Sequence, residues 1–409
     1  MRDSIGERKE CGIKTCEVFM IGVCIKYFHE NYGGMLQAFA TTQYLEDNGY
    51  NYELIQYKKK KNIVFVVKSL PRLFNFVLLN DKFEMIKKKI GALTHPEYVK
   101  NDAIRMCEFD SFRKKHFTKL SQEYVGYDAL CAGAEKYCAV ITGSDQLWSP
   151  AGLPTNYYNL QFVPEEITKI SIASSFGVKE IPWYQKKRTK KYLERIEHIS
   201  MREDRGAEIV KELTGREVPV ILDPVFLLSR DEWLKKIPQQ NLLEEPYILA
   251  YFLGASQEHR LAVTELSKKL GLKIVALRHL DQYVDADETF GDIAPYDVGP
   301  EQFLNVIRNA AYVCTDSFHG AAFSIINEKQ VIIFDRYRAN SVVSKNSRID
   351  TLCNNLGLQN RRYGVDNRDI VAIANRNIDY ALVNAKMDQQ RRDTDNYMKK
   401  VFNAIRSDG

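Results

Sequence analysis

YVCTDSFHGAAFSIINEKQVIIFD, residues 312–335, joins an apolar run, a polar turn, a small-residue run and a second apolar run. The run ending at Cys314 and the run QVIIF lack the polar alternation of a half-solvated strand, so both are predicted as strands buried on two faces. Between them, Gly320 opens GAAFSIINEK, which reads as a helix of small and apolar residues. Strand, helix and buried strand in succession make a βαβ unit, whose strands lie parallel beneath helices on both faces.

The same alternation extends in both directions. Upstream lie PYILAYFLG (246–254), a helix ending near Gly271, LKIVALR (272–278) and a helix at 300–309. An earlier series holds the strand VFMIGVCI (18–25), a helix opened by NYGG and running through Glu46, and the strand NYELIQY. After a long middle stretch come CAVIT (138–142), TKISIASSF (168–176), a basic helix near 184–197, a short strand in HISMRED, the helix GAEIVKELTG and a further strand in VPVILDP. Two tandem series predict two doubly wound α/β domains facing across a cleft, with ligands at the carboxyl ends of the strands. The expected division is a leader at 1–17, an N-terminal domain at 18–228 with a basic helical insertion at about 58–119, a C-terminal domain at 229–366, and helices at 367–409 packing back across the junction.

The 409 residues suffice for two ordinary domains. Hydrophobic residues make up 45% and charged residues 27%, and the formal net charge of +5 suits anionic ligands without pointing to nucleic acid. No apolar run reaches the roughly 18 residues of a membrane span, and the polar start MRDSIGERKECGIK lacks the apolar centre of a signal peptide. The expectation is a cytoplasmic protein. Cys24, Cys138 and Cys314 sit in apolar runs and read as buried small hydrophobes, and no Cys/His spacing of a zinc site occurs, so no metal is expected. The stretch from KKKKN to FRKKHF has two readings: solvated basic helices on the first domain, or a peripheral contact with the anionic inner face of a membrane.

Chemistry is expected first at TDSFHG. Amides at a helix start bind anions, and His319, at a strand exit beside Asp316 and Ser317, is placed to hydrogen-bond phosphate or deliver a proton near neutral pH. Helix capping accounts for Asp316 and Ser317 equally well, but not for a histidine followed by Gly320 and two alanines. Arg202, in SMREDR after a short strand, either clamps a carboxylate with two parallel hydrogen bonds or pairs with Glu203 or Asp204. Arg205 reads as a helix-surface residue, while Arg336 and Arg338 follow the strand QVIIF within reach of a phosphate.

T-D-x-x-H-G before a small-residue helix resembles the donor site of the polysaccharide pyruvyl transferases. NYGGMLQAFA (31–40), TGSDQLWSP (142–150) and SMREDRGAEIVKELTG (200–215) running into VILDPVFLL agree with that family in order and spacing. One branch of the family carries arginine and leucine where this chain has Ser317 and Phe318. The resemblance covers roughly residues 18–340. It implies two Rossmann-like domains in the GT-B glycosyltransferase arrangement and transfer of pyruvate from phosphoenolpyruvate to a sugar of a surface polysaccharide or its lipid-linked precursor. Phosphoenolpyruvate is then a co-substrate, and no cofactor is needed.

On this reading the donor is held by Arg202, Asp316, Ser317, His319 and Gly320, with His319 as proton donor, Arg202 on the carboxylate and the amides near 319–321 on the phosphate. Asn31, Tyr32, Gly33, Gly34 and Gln37 form the acceptor side, together with Ser144 and Gln146. Asp145 orients or deprotonates the attacking hydroxyl, and Trp148 offers a face to the sugar. Ser174 and Ser175 add polar contacts or simply form a turn. Two other expectations stand beside this one: a nucleotide-sugar-dependent GT-B glycosyltransferase, and a non-catalytic partner in glycan assembly.

Overall fold

The computed structural model describes residues 19–60, 94–150, 152, 155–241, 243–279, 283–337, 346–365 and 367–407. The leader with Cys11 and Cys16, residues 61–93 of the basic stretch, and Arg338 lie outside these.

Two all-parallel sheets carry the architecture. The first joins β1 (Ile21–Cys24), β2 (Tyr52–Lys58), β3 (Leu120–Val125), β4 (Ala139–Gly143), β5 (Thr168–Ser174) and β6 (His198–Met201) in the order β3-β2-β1-β4-β5-β6. The second joins β7 (Tyr247–Tyr251), β8 (Lys273–Leu277), β9 (Tyr312–Thr315), β10 (Gln330–Phe334) and the two-residue β11 (Arg362–Tyr363) in the order β11-β10-β9-β7-β8. Each order reverses once, at β1/β4 and at β7/β9. A reversal sends successive crossovers to opposite faces and leaves a crevice at the strands' carboxyl ends.

The helices are α1 (Tyr32–Asp47), α2 (Pro96–His116), α3 (Tyr127–Ala134), α4 (Trp183–Glu194), α5 (Asp204–Thr214), α6 (Arg230–Lys236), α7 (Gln257–Leu270), α8 (Pro300–Asn309), α9 (Phe318–Ile326), α10 (Ser347–Leu356), α11 (Ile370–Ala374) and α12 (Tyr380–Ser407). Their ends follow local chemistry. Asn31 caps α1 by accepting from the Gly34 amide at 3.0 Å, and Ser229 and Glu232 form a reciprocal capping box on α6.

Two elements depart from the sequence reading. VPVILDP is not a strand: it touches β6 through one bridge, with the Met201 amide donating to Pro219 O and the Ile221 amide to Met201 O, both at 2.9 Å. Pro219 and Pro224 remove two of the donors a strand would need. Conversely, LSQEYV forms the edge strand β3, where only Ser121 and Tyr124 are buried. Cys24 and Cys314 are fully buried, whereas Cys138 is half-buried and its thiol donates to Met20 O at 3.2 Å.

The two domains share one apolar core. Tyr32 of α1 stacks on Phe303 of α8, with ring centres 4.5 Å apart, and its hydroxyl donates to Val298 O at 2.7 Å. Trp233 of α6 lies between Phe39 and Phe323, one from each domain, at 5.6 and 5.1 Å. Helix α12, 28 residues and about 42 Å long at 1.5 Å per residue, bridges both units. The Tyr380 hydroxyl donates to Lys329 O at one end, and near the other Phe402 stacks on Tyr50 at 4.4 Å.

Candidate active site

The two crevices open on each other. Lys26 and Asn31 leave β1, Asp145 and Gln146 leave β4, Leu253 leaves β7, and Ser317 and His319 leave β9. Together with Arg336 after β10 and Arg348 of α10, they line a polar cavity of about 330 Å³.

His319 is set by the turn before it. The Thr315 hydroxyl donates to Tyr251 O at 2.7 Å and accepts from the Ser317 amide, while Ser317 caps α9 by accepting from the Gly320 amide at 3.3 Å. The imidazole then meets α1 of the other domain. A Cβ at Gly33 would lie 2.0 Å from His319 Nδ1, so only glycine admits the ring there. His319 is 6% exposed, and its Nε2 has no hydrogen-bond partner among the described residues.

Asp223 lies behind the histidine. Its Oδ2 is 3.6 Å from His319 Nε2, beyond hydrogen-bond length, and accepts from Ser144 Oγ and Arg202 Nη1, each at 2.8 Å. Its Oδ1 accepts from the Val225 amide at 3.1 Å. Burial works to raise this carboxyl's pKa, but His319 and Arg202 outweigh it and hold the group well below the ordinary range, so it is ionised. Arg202 lies over the Phe318 ring, 4.8 Å from its centre, with Nε 3.8 Å from Glu203 Oε2. Burial lifts the Glu203 carboxyl despite Arg202 and a 2.7 Å hydrogen bond from Ser175 Oγ.

The cleft wall is cationic. Arg348 is buried, and its pKa is pushed down to about 10 by burial and by Arg202, which leaves it charged at neutral pH. Its Nη1 and Nη2 lie 3.2 and 2.6 Å from the Gln146 amide oxygen when that amide is turned toward them. Arg336 Nη2 donates to Asp316 O at 3.2 Å, and Lys26 Nζ is 3.6 Å from Asp145 Oδ2. Asp145 holds a left-handed backbone, φ 49°. Burial favours its neutral form, yet Lys26, Arg202, His319 and Arg348 pull its pKa well below the carboxylate range, so it is a hydrogen-bond acceptor and a poor base.

Of the residues singled out in the sequence, Asn31, Gly34, Asp145, Gln146, Ser317, His319 and Arg336 line the cleft. The others take different positions. Tyr32 is fully buried in the interdomain core, and Gln37 is buried within α1 with Nε2 donating to Thr41 Oγ1 at 2.8 Å, so neither faces an acceptor. Gly33 makes room for His319 and not for a ligand. Ser144 is committed to Asp223. Arg202 is held by the same carboxylate and lines a neighbouring cavity of about 450 Å³, behind Phe318 and Arg348.

Asp316 accepts from the Leu253 and Gly254 amides at 2.6 and 2.8 Å, tying β7 to β9. Gly320 sits against Thr315, where a Cβ would come within 2.5 Å of Oγ1. The Gly320 amide donates to Ser317 Oγ and the Ala321 amide to Ser317 O, so neither of these amides is available to phosphate. Trp148 is 1% exposed and donates to Tyr158 O, which closes its face to a sugar. Ser175 holds Glu203, while Ser174 is buried beneath the site. Arg205 lies on α5 with Glu208 and Glu212.

Three residues of the site were missed. Asp223 was hidden in the supposed strand VPVILDP, although a carboxylate ending an apolar run was a usable signal. Lys26 was signalled in the same way, as the first charge after β1. Arg348 carried no such mark. Among the described residues, no group of three or more His, Cys, Asp or Glu side chains is placed to hold a metal ion.

Comparison with known proteins agrees with this architecture. The chain is similar in fold to UDP-N-acetylglucosamine 2-epimerase from Rickettsia bellii (TM-score 0.50, 10% identity, 95% of this chain and 97% of that one). UDP-GlcNAc 2-epimerase from Neisseria meningitidis (TM-score 0.46, 12%, 90% and 97%) and an α-glucosyltransferase in complex with UDP and DNA (0.44, 10%, 95% and 99%) are also similar. The likeness to the Rickettsia bellii epimerase, together with the two parallel sheets, shows a two-domain, GT-B-like fold. No curated protein matches the sequence. A profile of the polysaccharide pyruvyl transferases matches residues 31–337, from the cap of α1 to just past Arg336, and so takes in every strand-end residue of the cleft from Asn31 onward. On that match, the chain is a transferase belonging to the polysaccharide pyruvyl transferase family.

Proposed function

We propose that the enzyme transfers pyruvate from phosphoenolpyruvate to two hydroxyls of one sugar in a surface polysaccharide or its lipid-linked precursor, closing a cyclic ketal and releasing phosphate. The observation that carries this reading is the imidazole of His319, whose Nε2 has no hydrogen-bond partner among the described residues, in a cleft whose wall bears Lys26, Arg336 and Arg348. A donor with both a carboxylate and a phosphate needs two cationic anchors, and it needs a proton source beside them.

The steps balance without a further reactant. Protonation of the methylene carbon leaves the adjacent carbon electrophilic, and one sugar hydroxyl adds there. A second hydroxyl displaces phosphate, so that of the two hydroxyl protons one ends in the methyl group and one on phosphate. His319 moves the proton. Asp223, ionised behind it, stabilises the protonated ring that donates the proton and that is restored when a hydroxyl gives up its own. Arg348 and Arg336 anchor the donor anions, which fills the role that the family's arginine would have at Ser317. Asp145, Asn31 and Gln146 orient the acceptor hydroxyls as hydrogen-bonding groups. Such alignment can contribute roughly 7–11 kcal/mol to an intramolecular ring closure.

Phosphate release from phosphoenolpyruvate in the presence of lipid-linked oligosaccharides, followed by mass spectrometry of the product, tests the reading. A pyruvyl mass increment that requires His319 is the expected outcome. Calorimetric binding of a nucleotide sugar with no response to phosphoenolpyruvate would overturn it.

A further inference from the structure

Helix α4 is amphipathic in an uncommon sense. Thr189, Tyr192 and Leu193 are buried against the first domain, while the opposite face exposes Lys186, Lys187, Arg188, Lys190 and Lys191. At its start, Trp183 is 82% exposed and Tyr184 42%, their rings edge to face at 5.7 Å. Trp183 is the most exposed large hydrophobic side chain among the described residues. The indole's apolar area is thus left in water beside five cations.

The loop before the helix borders the cleft. This loop, 175–182, leads to α4 from the carboxyl end of β5, where a Cβ at Gly177 would lie 2.8 Å from the Gln146 side chain. Gln185 Nε2 donates to Pro150 O at 3.1 Å, which fixes the first turn against the segment carrying Asp145 and Gln146. The aromatic tip is therefore joined to the acceptor wall by short, hydrogen-bonded backbone.

We propose that α4 is a docking surface for an anionic lipid bilayer. The Trp183–Tyr184 pair enters the headgroup layer, as aromatic belts do, and the basic face meets acidic headgroups. Charge complementarity selects this occupant: within 183–194 the five cations face one carboxylate, Glu194, which lies 3.7 Å from Lys190. No described helix is long and apolar enough to cross a membrane, so the contact lies in the plane of the surface. Docking there turns the rim of the cleft toward the bilayer. That benefit rests on the proposed use of a lipid-carried acceptor, whereas the binding itself does not.

The test is therefore read without turnover. Trp148 and Trp233 are 1% and 0% exposed, so a change in tryptophan emission on adding lipid reports Trp183. Vesicles of phosphatidylcholine mixed with phosphatidylglycerol should shift the emission to the blue and sediment the full-length protein, and added salt should reverse both. Pure phosphatidylcholine should do neither. The double variant Lys187→Glu/Lys191→Glu should partition at least about tenfold more weakly, since each cation near an anionic surface contributes measurably. Trp183→Ala should also bind more weakly, with an unchanged melting temperature and unchanged phosphoenolpyruvate binding by calorimetry. An emission spectrum indifferent to phosphatidylglycerol, or variants that sediment as the wild type does, would overturn the proposal. Failure of pyruvyl transfer with intact vesicle binding would instead count against the reaction.

Discussion

Asp223 and His319 stand 3.6 Å apart across the domain boundary, one in the segment after β6 and the other in the helix after β9. Neither domain alone contains the pair. The carboxylate is tied to Ser144 and Arg202 on its own side, so the imidazole meets a charge already fixed in place.

His319→Ala should lower phosphate release by at least 10²–10⁴-fold, the usual range for a positioned proton donor, with the melting temperature nearly unchanged. Gly33→Ala probes the same ring from behind. Its methyl would fall 2.0 Å from Nδ1, and turning the imidazole aside should cost about 10²-fold in kcat. Full activity in either variant sinks the assignment.

Asp223→Asn removes the charge that Arg202 and His319 share. An unpaired buried arginine costs about 3–5 kcal/mol, so urea unfolding should shift by that order. A change below about 1 kcal/mol would mean that Glu203 compensates Arg202 by itself.

Arg348→Met keeps bulk and removes charge. Loss of a charge-assisted hydrogen bond worth about 1.5–3 kcal/mol should raise the KM for phosphoenolpyruvate roughly tenfold to a hundredfold. Initial-rate kinetics with the acceptor saturating separates this from an effect on kcat, which should be the smaller.

Tyr32→Phe tests a reassignment. Deleting the hydroxyl leaves Val298 O without its donor, so stability should fall by about 1–3 kcal/mol. The KM for the acceptor should stay at the wild-type value. An acceptor defect without a stability change would return Tyr32 to the sugar.

Glu301 gives a pH signature. Hydrogen bonds from His116 and Lys115 of α2 outweigh burial and hold its pKa down to about 2. A depressed carboxyl stabilises the fold above its unfolded pKa, near 4.3, and loses that contribution as pH falls toward about 2. Melting temperatures of wild type and Glu301→Gln should therefore differ at pH 6 and converge only as the pH approaches about 2.

The strands that flank the cleft were legible because a strand covered on both faces has no room for polar alternation. β3 was not, since an edge strand buries only Ser121 and Tyr124 and its pattern resembles a loop. His319, Asn31, Asp145 and Gln146 were legible for a related reason: each follows an apolar run at the end where crevices form. Tyr32 and Gln37 share that local signal, yet α8 and α9 of the other domain cover α1, and nothing local encodes that covering. Asp223 was lost with the misread VPVILDP. Arg348 follows DRYRANSVVSKNS, which holds no strand-like apolar run, so an arginine there looks like any surface charge.

The apolar core running through Tyr32, Phe303, Trp233 and Phe323 ties the two walls of the cleft together. Hinged enzymes sort their substrates by whether closure succeeds. Here any change of width would have to part Tyr32 from Phe303 and Phe39 from Trp233, so opening or closing carries the cost of exposing an apolar core.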